Sequence, residues 1–246
     1  MRKIGIIGGM SYRTTLRYYE AINRAINKRL GGLSSADITI RSLNFAEIFS
    51  MMQNNDWKRI ASELKYEAFQ LWHEDICDYI AIASGPMHKV ADEIDRIWTE
   101  SDSIDPEPPK YSRLIHIGDC IAKKCHDLGV KRVVLIGEKN VMANDFMRER
   151  ISANGIVVST NISDFMVNLI DNIIFSELYH NPIDELAKEM LSDMIKEIVE
   201  DNDADGAVIC CNELYSALSP EDFTDFPLID GAGAHIEKLI ELSLQN

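Results

Sequence analysis

The chain repeats itself. Asp78-Tyr79-Ile80-Ala81-Ile82-Ala83-Ser84 is matched by Asp205-Gly206-Ala207-Val208-Ile209-Cys210-Cys211, in each case an acidic turn, an apolar run and a small nucleophilic side chain. Ile4-Gly5-Ile6-Ile7-Gly8 is matched in the same way by Val133-Val134-Leu135-Ile136-Gly137. The acidic turn follows Lys3 by 75 positions and Arg132 by 73, so the two halves are spaced almost equally. Short apolar runs bounded by turn residues read as strands buried on both faces, the pattern of parallel sheets. A duplicated chain of this kind folds into two equivalent halves, with equivalent strand ends free to carry chemistry.

Helical spacing fills the intervals. In the first half it covers 14–30, with Leu16, Tyr19, Ile22 and Ile26 on one stripe, then 45–52, 57–77 and 90–98. In the second it covers 115–128, 144–153, 164–179 and 182–201, and a closing helix is expected at 234–244. Strands are expected at 3–7, 38–43, 79–83, 132–136, 155–159, 207–211 and 227–230. This alternation predicts an α/β fold of two pseudo-symmetric lobes, each an open parallel sheet flanked by helices, with the active site in the cleft between them. One lobe is expected from 1–113 with 216–246, the other from 114–215. Residues 99–110 are acidic and hold three of the seven prolines, so they read as a loop or insertion.

Composition removes several classes of function. The net charge of −15 and the lack of a basic stripe argue against nucleic acid. They do not exclude a small anionic substrate, because a site can be locally positive. No apolar run approaches the roughly 18–20 residues of a membrane span. Five cysteines, an odd number, and a beginning that runs straight into a strand pattern argue against a disulfide framework and for a reducing, cytoplasmic setting.

Open α/β sheets bind ligands beyond the carboxyl ends of their strands. Gly8-Gly9-Met10, Ser84, Gly137 and Cys211 stand there. Cys211 is the sharpest candidate, a thiolate base or nucleophile if donors or a helix N-terminus lower its pKa. The alternative is a small buried residue at a strand end. Asn212 and Glu213 follow it as a polar turn. Cys210 alternates to the other side and reads as core, as do Cys120 and Cys125 on their helix, and the vicinal pair is a poor metal site. Ser84 holds the equivalent place, followed by Gly85, Pro86 and His88. A lone serine needs a neighbour to take its proton. His88 could be that neighbour, bind substrate, or cap the next helix. Gly9 and Met10 would bring backbone N–H groups close to a carboxylate, near Thr14 and Thr15 at a helix start. No dinucleotide motif is formed there. Arg41 could clamp an anion or make a surface salt bridge. Asp230 and His235 flank another strand-end turn.

Together these segments resemble the aspartate/glutamate racemase family of cofactor-independent amino-acid racemases. The resemblance rests on Lys3–Tyr19, Ser42–Ile48, Met87–Val90, Leu114–Asp119, Ile173–Leu178, Cys211–Leu214 and Pro227–Asp230. It implies a small amino-acid or carboxylic-acid substrate, no cofactor or metal, and, since such proteins are often dimers, a homodimer. It also implies two acid/base residues on opposite faces of the substrate α-carbon, at Cys211 and Ser84, with Gly9, Met10 and Asn212 holding the carboxylate. The chain departs from the family where the first motif, usually Cys-Asn-Thr or Thr-Asn-Thr, reads Ser84-Gly85-Pro86. Two carboxylate donors are lost there, and proline lacks even its N–H. The departure favours, as rivals, a one-cysteine decarboxylase or isomerase of the same superfamily, or a non-catalytic binder of a small carboxylic acid.

Overall fold

The computed structural model describes residues 1–100, 113–180 and 184–245, with side chains undescribed at 97–100. The proline-rich segment lies outside the described residues from 101 onward, as does the expected helix start at Pro182. The chain divides into two compact units, Met1–His116 with His235–Asn246, and Ile117–Ala234.

In the first unit the order is β1 (Ile4–Gly8), α1 (Tyr12–Leu30), β2 (Ile38–Ser42), α2 (Phe45–Gln53), α3 (Trp57–His73), β3 (Tyr79–Ile82), a 3-10 turn (Pro86–Val90), α4 (Ala91–Glu100) and β4 (Leu114–Ile115). The strands form a parallel sheet in the order β2-β1-β3-β4. The second unit runs α5 (Ile117–Leu128), β5 (Arg132–Ile136), α6 (Lys139–Met142), α7 (Asp145–Ala153), β6 (Val157–Ser159), α8 (Asp164–Ile173) with a π-helical extension (Ile174–Leu178), α9 (Glu185–Asp201), β7 (Gly206–Ile209), α10 (Asn212–Ala217), a 3-10 turn (Pro220–Asp222) and β8 (Leu228–Asp230). Its sheet, also parallel, has the equivalent order β6-β5-β7-β8. The last helix, α11 (Gly231–Ser243), begins in the second unit and ends in the first. Among the described residues no helix is long and apolar enough to cross a membrane.

The repeated acidic turn has a mechanical role. Asp78 Oδ2 accepts the Lys3 N–H at 2.8 Å, and the Asp78 N–H returns a bond to the Lys3 carbonyl at 2.9 Å. Asp205 Oδ2 accepts the N–H groups of Lys131 and Arg132, both at 2.9 Å, and its own N–H donates to the Arg132 carbonyl at 2.8 Å. Each aspartate ties the foot of the first strand of its sheet to the foot of the third. The donated N–H groups hold the Asp205 carboxyl below the usual aspartate range.

Alternation along β5 and β7 divides the second core. Val134, Ile136, Ala207, Ile209 and Cys211 belong to a cluster with Ile170, Ile195 and Ile198; Val133, Leu135, Val208 and Cys210 belong to another with Ile121, Cys125 and Met147. Cys210 is therefore core, as its alternation predicts. All five cysteines are buried free thiols.

Several expected boundaries move. The helix expected to reach Cys77 ends at His73, because Ile76 turns left-handed at φ 54° and the Cys77 N–H folds back to the Leu71 carbonyl at 2.9 Å. The helix expected from 115 is preceded by β4, whose register the bond from the Ile80 N–H to the Arg113 carbonyl sets at 2.8 Å. The buried residues of α1 are Thr14, Thr15, Tyr18, Ile22 and Ile26, while Leu16 and Tyr19 are exposed. Hydrogen bonds drawing Thr15 inward set this rotation of the first turns. The expected division at 215/216 would join 227–230 to the first lobe; β8 instead bonds to β7, pairing Ile209 with Asp230.

Asp205→Ala should cost about 1 kcal/mol, the worth of two bonds to an exposed carboxylate. A fall in the urea midpoint at unchanged slope would show it. The carboxyl titrates below its unfolded value, so its contribution is present at neutral pH and lost as pH falls through the lowered value; the deficit should shrink in acid.

Candidate active site

Ser84 and Cys211 occupy the same place on two equivalent frames. Ile82 pairs with Ile7 in the first sheet, and Ile209 with Ile136 in the second. The next residue in each continues the ladder, Ala83 N–H to the Ile7 carbonyl at 2.9 Å and Cys210 N–H to the Ile136 carbonyl at 2.8 Å. The residue after that leaves the sheet, and it is Ser84 in one unit and Cys211 in the other. Both are buried, at 9% and 2% relative exposure.

Cys211 lies just beyond β7 and caps α10, which Asn212 opens. Its thiol donates to Glu213 Oε2 at 3.7 Å, and Glu213 is itself buried. Gly137 passes so close that an added Cβ would lie 3.2 Å from the Cys210 Cβ and 3.5 Å from the Cys211 nitrogen. Next to it is Glu138, 5% exposed, whose Oε1 accepts from the Tyr179 hydroxyl at 3.4 Å. Its Oε2 has no hydrogen-bond partner among the described residues. Glu138 precedes α6 without capping it; Asp171 accepts the Lys139 N–H instead, at 2.7 Å.

Burial pushes the Cys211 thiol well above its ordinary range, and the neighbouring Glu138 and Glu213 push it further. The N–H groups of Leu214 and Glu213 act the other way and are outweighed. The condition for a low-pKa thiolate, donors that outweigh burial, is not met at Cys211, and the balance favours the protonated thiol. Burial raises Glu138 to about 7, with Glu213 and Asp171 adding to it. Burial, Glu138, Cys211 and Glu213 hold the Tyr179 phenol well above its usual range. Glu138 and Tyr179 were missed in the sequence. Only the place of Glu138, directly after a buried strand and Gly137, could have drawn attention to it.

In the first unit, Gly85 leads into the 3-10 turn. A carbonyl only accepts, so the 3.0 Å contact of His88 Nδ1 with the Ser84 carbonyl places the proton on Nδ1. His88 braces this turn through the main chain, and its Nδ1, which carries that proton, is not the base for the Ser84 hydroxyl. Its ring meets His116 edge-on, with centroids 4.7 Å apart, and lies 5.7 Å from His235. His235 Nε2 donates to the Ile115 carbonyl at 2.9 Å, which leaves Nδ1 to accept from the Tyr18 hydroxyl at 2.9 Å. Burial, with His88 adding, lowers His235 to about 3 and keeps it neutral.

The glycine turn is closed by its own neighbours. Gly9 has φ +90°, and an added Cβ would lie 2.1 Å from the Leu43 carbonyl oxygen. The Gly9 N–H donates to Thr15 Oγ1 at 2.8 Å, and Thr15 Oγ1 donates to the Ser11 carbonyl at 3.0 Å. The expected substrate amide of Gly9 is thus engaged within the turn, as is Thr15, and the Met10 side chain belongs to the core with Ile60 and Leu64. Arg41 is held by Asp75, at 3.1 Å through both Nε and Nη2, and by Glu67 at 3.3 Å. Its charge is matched by two carboxylates, the salt-bridge alternative rather than the anion clamp. Among the described residues no group of three or more His, Cys, Asp or Glu is placed to hold a metal ion.

Two measurements check this account. Gly9→Ala meets backbone in a left-handed conformation and should cost at least about 2 kcal/mol, seen in a denaturant titration. Glu138 is raised from an ordinary 4.5, so the folded chain loses stability as pH climbs from there through about 7. Glu138→Gln removes that penalty. Its melting temperature relative to wild type should rise between about pH 5 and about pH 8.

A family model described as Asp/Glu/Hydantoin racemase matches residues 7–239. A candidate Asp/Glu racemase from Yersinia pestis is 30% identical, with both chains covered 100% and a TM-score of 0.86. An aspartate racemase homologue from Pyrococcus horikoshii OT3 is 28% identical over 100% of both chains, with a TM-score of 0.79. The aspartate racemase of Picrophilus torridus shares the fold at 17% identity and a TM-score of 0.63, over 99% of this chain and 94% of its own.

Proposed function

From the premise that the chain belongs to the Asp/Glu/Hydantoin racemase family, we propose that it is a cofactor-independent amino-acid racemase working through Cys211 and Ser84. The observation that carries this reading is the equivalent strand-end register of the two residues. In it, one residue takes the α-proton and the other returns a proton to the opposite face. A protonated Cys211 is prepared for the donating half of the cycle, and the reverse direction returns the proton to its sulfur. Ser84 takes the other proton directly or through a water that it positions. The α-proton is very weakly acidic, so the developing carbanion must be stabilised by donors to the substrate carboxylate. The Asn212 carboxamide beside Cys211 is suited to this.

A second reading is favoured by one observation. Ser84-Gly85-Pro86 offers few donors and only a weak base, while Cys211 is an acid in waiting. A single thiol that protonates one face, as in decarboxylation of a malonate-type acid, would need no more.

Proton exchange in deuterium oxide tests both. With L- and D-amino acids offered in separate pools, the α-proton signal of the substrate should fade and the enantiomer should appear. Cys211→Ala should slow this by at least about 100-fold, the scale of a lost general acid. Ser84→Ala should cause a comparable loss if two bases act. Carbon dioxide released from a malonate-type acid, with Cys211 essential and Ser84→Ala near wild type, would instead support the second reading. No exchange with any amino acid would overturn the racemase proposal.

A further inference from the structure

Glu138 is a buried carboxyl that the proposed proton transfers do not use. Its position is built rather than incidental. Gly137 brings the chain against Cys210 and Cys211, and the next side chain turns inward instead of capping α6. Asp171 has taken the capping bond. Tyr179 touches only one of the Glu138 oxygens, and the other is buried with no hydrogen-bond partner among the described residues. A carboxyl oxygen so placed is unfavourable until a donor reaches it.

The surroundings say which donor suits it. Glu213 on α10 and Asp171 on α8 act on Glu138, Glu138 and Glu213 act on Cys211, and Tyr179 approaches Glu138 from the end of the π-helical extension. Lys139, the adjacent cation, reaches away to Asn168 Oδ1 at 2.8 Å. An acidic substrate side chain brought here would add a negative charge to Glu138, Glu213 and Asp171. An ammonium or guanidinium would supply the missing donor and offset the crowding of carboxyls.

We propose that Glu138 is a specificity residue of the Cys211 site, selecting substrates with a cationic side chain, as in the basic amino acids, over acidic ones. The selection of a substrate for turnover rests on the racemase reading; the binding preference does not. Taking up the cation ionises Glu138, so affinity for it should strengthen as pH rises through about 7.

The full-length protein and its Glu138→Gln and Glu138→Thr variants would be offered lysine, ornithine and arginine, then aspartate, glutamate and alanine. Exchange in deuterium oxide and the ligand-induced shift in melting temperature would both be followed. Wild type should favour the cationic set over alanine by at least about 10-fold in kcat/KM, and in both variants that ratio should fall by at least this factor, a readout that a common change through the Cys211 proton does not move. The pH dependence of KM for lysine should flatten in Glu138→Gln. Preference for aspartate or glutamate, or an equal loss on every substrate, would overturn the proposal. If nothing exchanges, the racemase reading fails and the melting shifts decide alone. Stabilisation of wild type by the cationic set, lost in the variants, would support the specificity; stabilisation by the acidic set, or by neither, would overturn it.

Discussion

The register between the first and third strands of each sheet governs everything that follows. Asp78 and Asp205 hold it at one end, each accepting main-chain N–H groups from the foot of the neighbouring strand. A parallel pair has no hairpin to set its alignment, so an anchored foot fixes where the far end emerges. With that end fixed, the second residue beyond the pairing of Ile82 with Ile7 is Ser84, and beyond the pairing of Ile209 with Ile136 it is Cys211. A one-residue slip would exchange Cys211 with Cys210 and bury the wrong thiol among Ile121 and Met147.

Equivalent frames carry unlike chemistry. Around Ser84 the buried polar groups are histidines, and His235 is kept neutral by burial and by the neighbouring His88, which together outweigh the bond to the Ile115 carbonyl that favours the charged ring. Around Cys211 they are carboxyls. A strand end that opens a helix is ordinarily a place where a thiol loses its proton easily. Here α10 is only six residues long, and the N–H groups it offers do not match complete burial beside Glu138 and Glu213. Burial wins, and the site holds a proton where its position alone suggests a thiolate.

Much of this architecture was legible because it rests on local pattern. The apolar runs, the acidic turns before them and the opposite faces taken by Cys210 and Cys211 all follow from alternation and repetition along a few residues. What escaped depends on partners distant in sequence. Arg41 is matched by Glu67 and Asp75, which lie in other elements. Thr15 looks like a helix-start hydroxyl open to a ligand until the Gly9 amide is seen to claim it. β4 has only two residues and no periodicity to show. β8 has only three, and its pairing with β7 tells which sheet it joins. Glu138 is one acidic residue among many until its burial is known.

The central claim is that Cys211 rests as a thiol because burial and two carboxyls oppose its ionisation. It is tested most directly by labelling the cysteines with 13C at Cβ, assigning the Cys211 resonance with Cys211→Ala, and following it by NMR as pH rises. The account predicts no titration of that resonance between about pH 6 and about pH 9, above the ordinary thiol midpoint of about 8.5. It also predicts easier ionisation in Glu138→Gln. A midpoint below the ordinary value in the wild-type protein would contradict it.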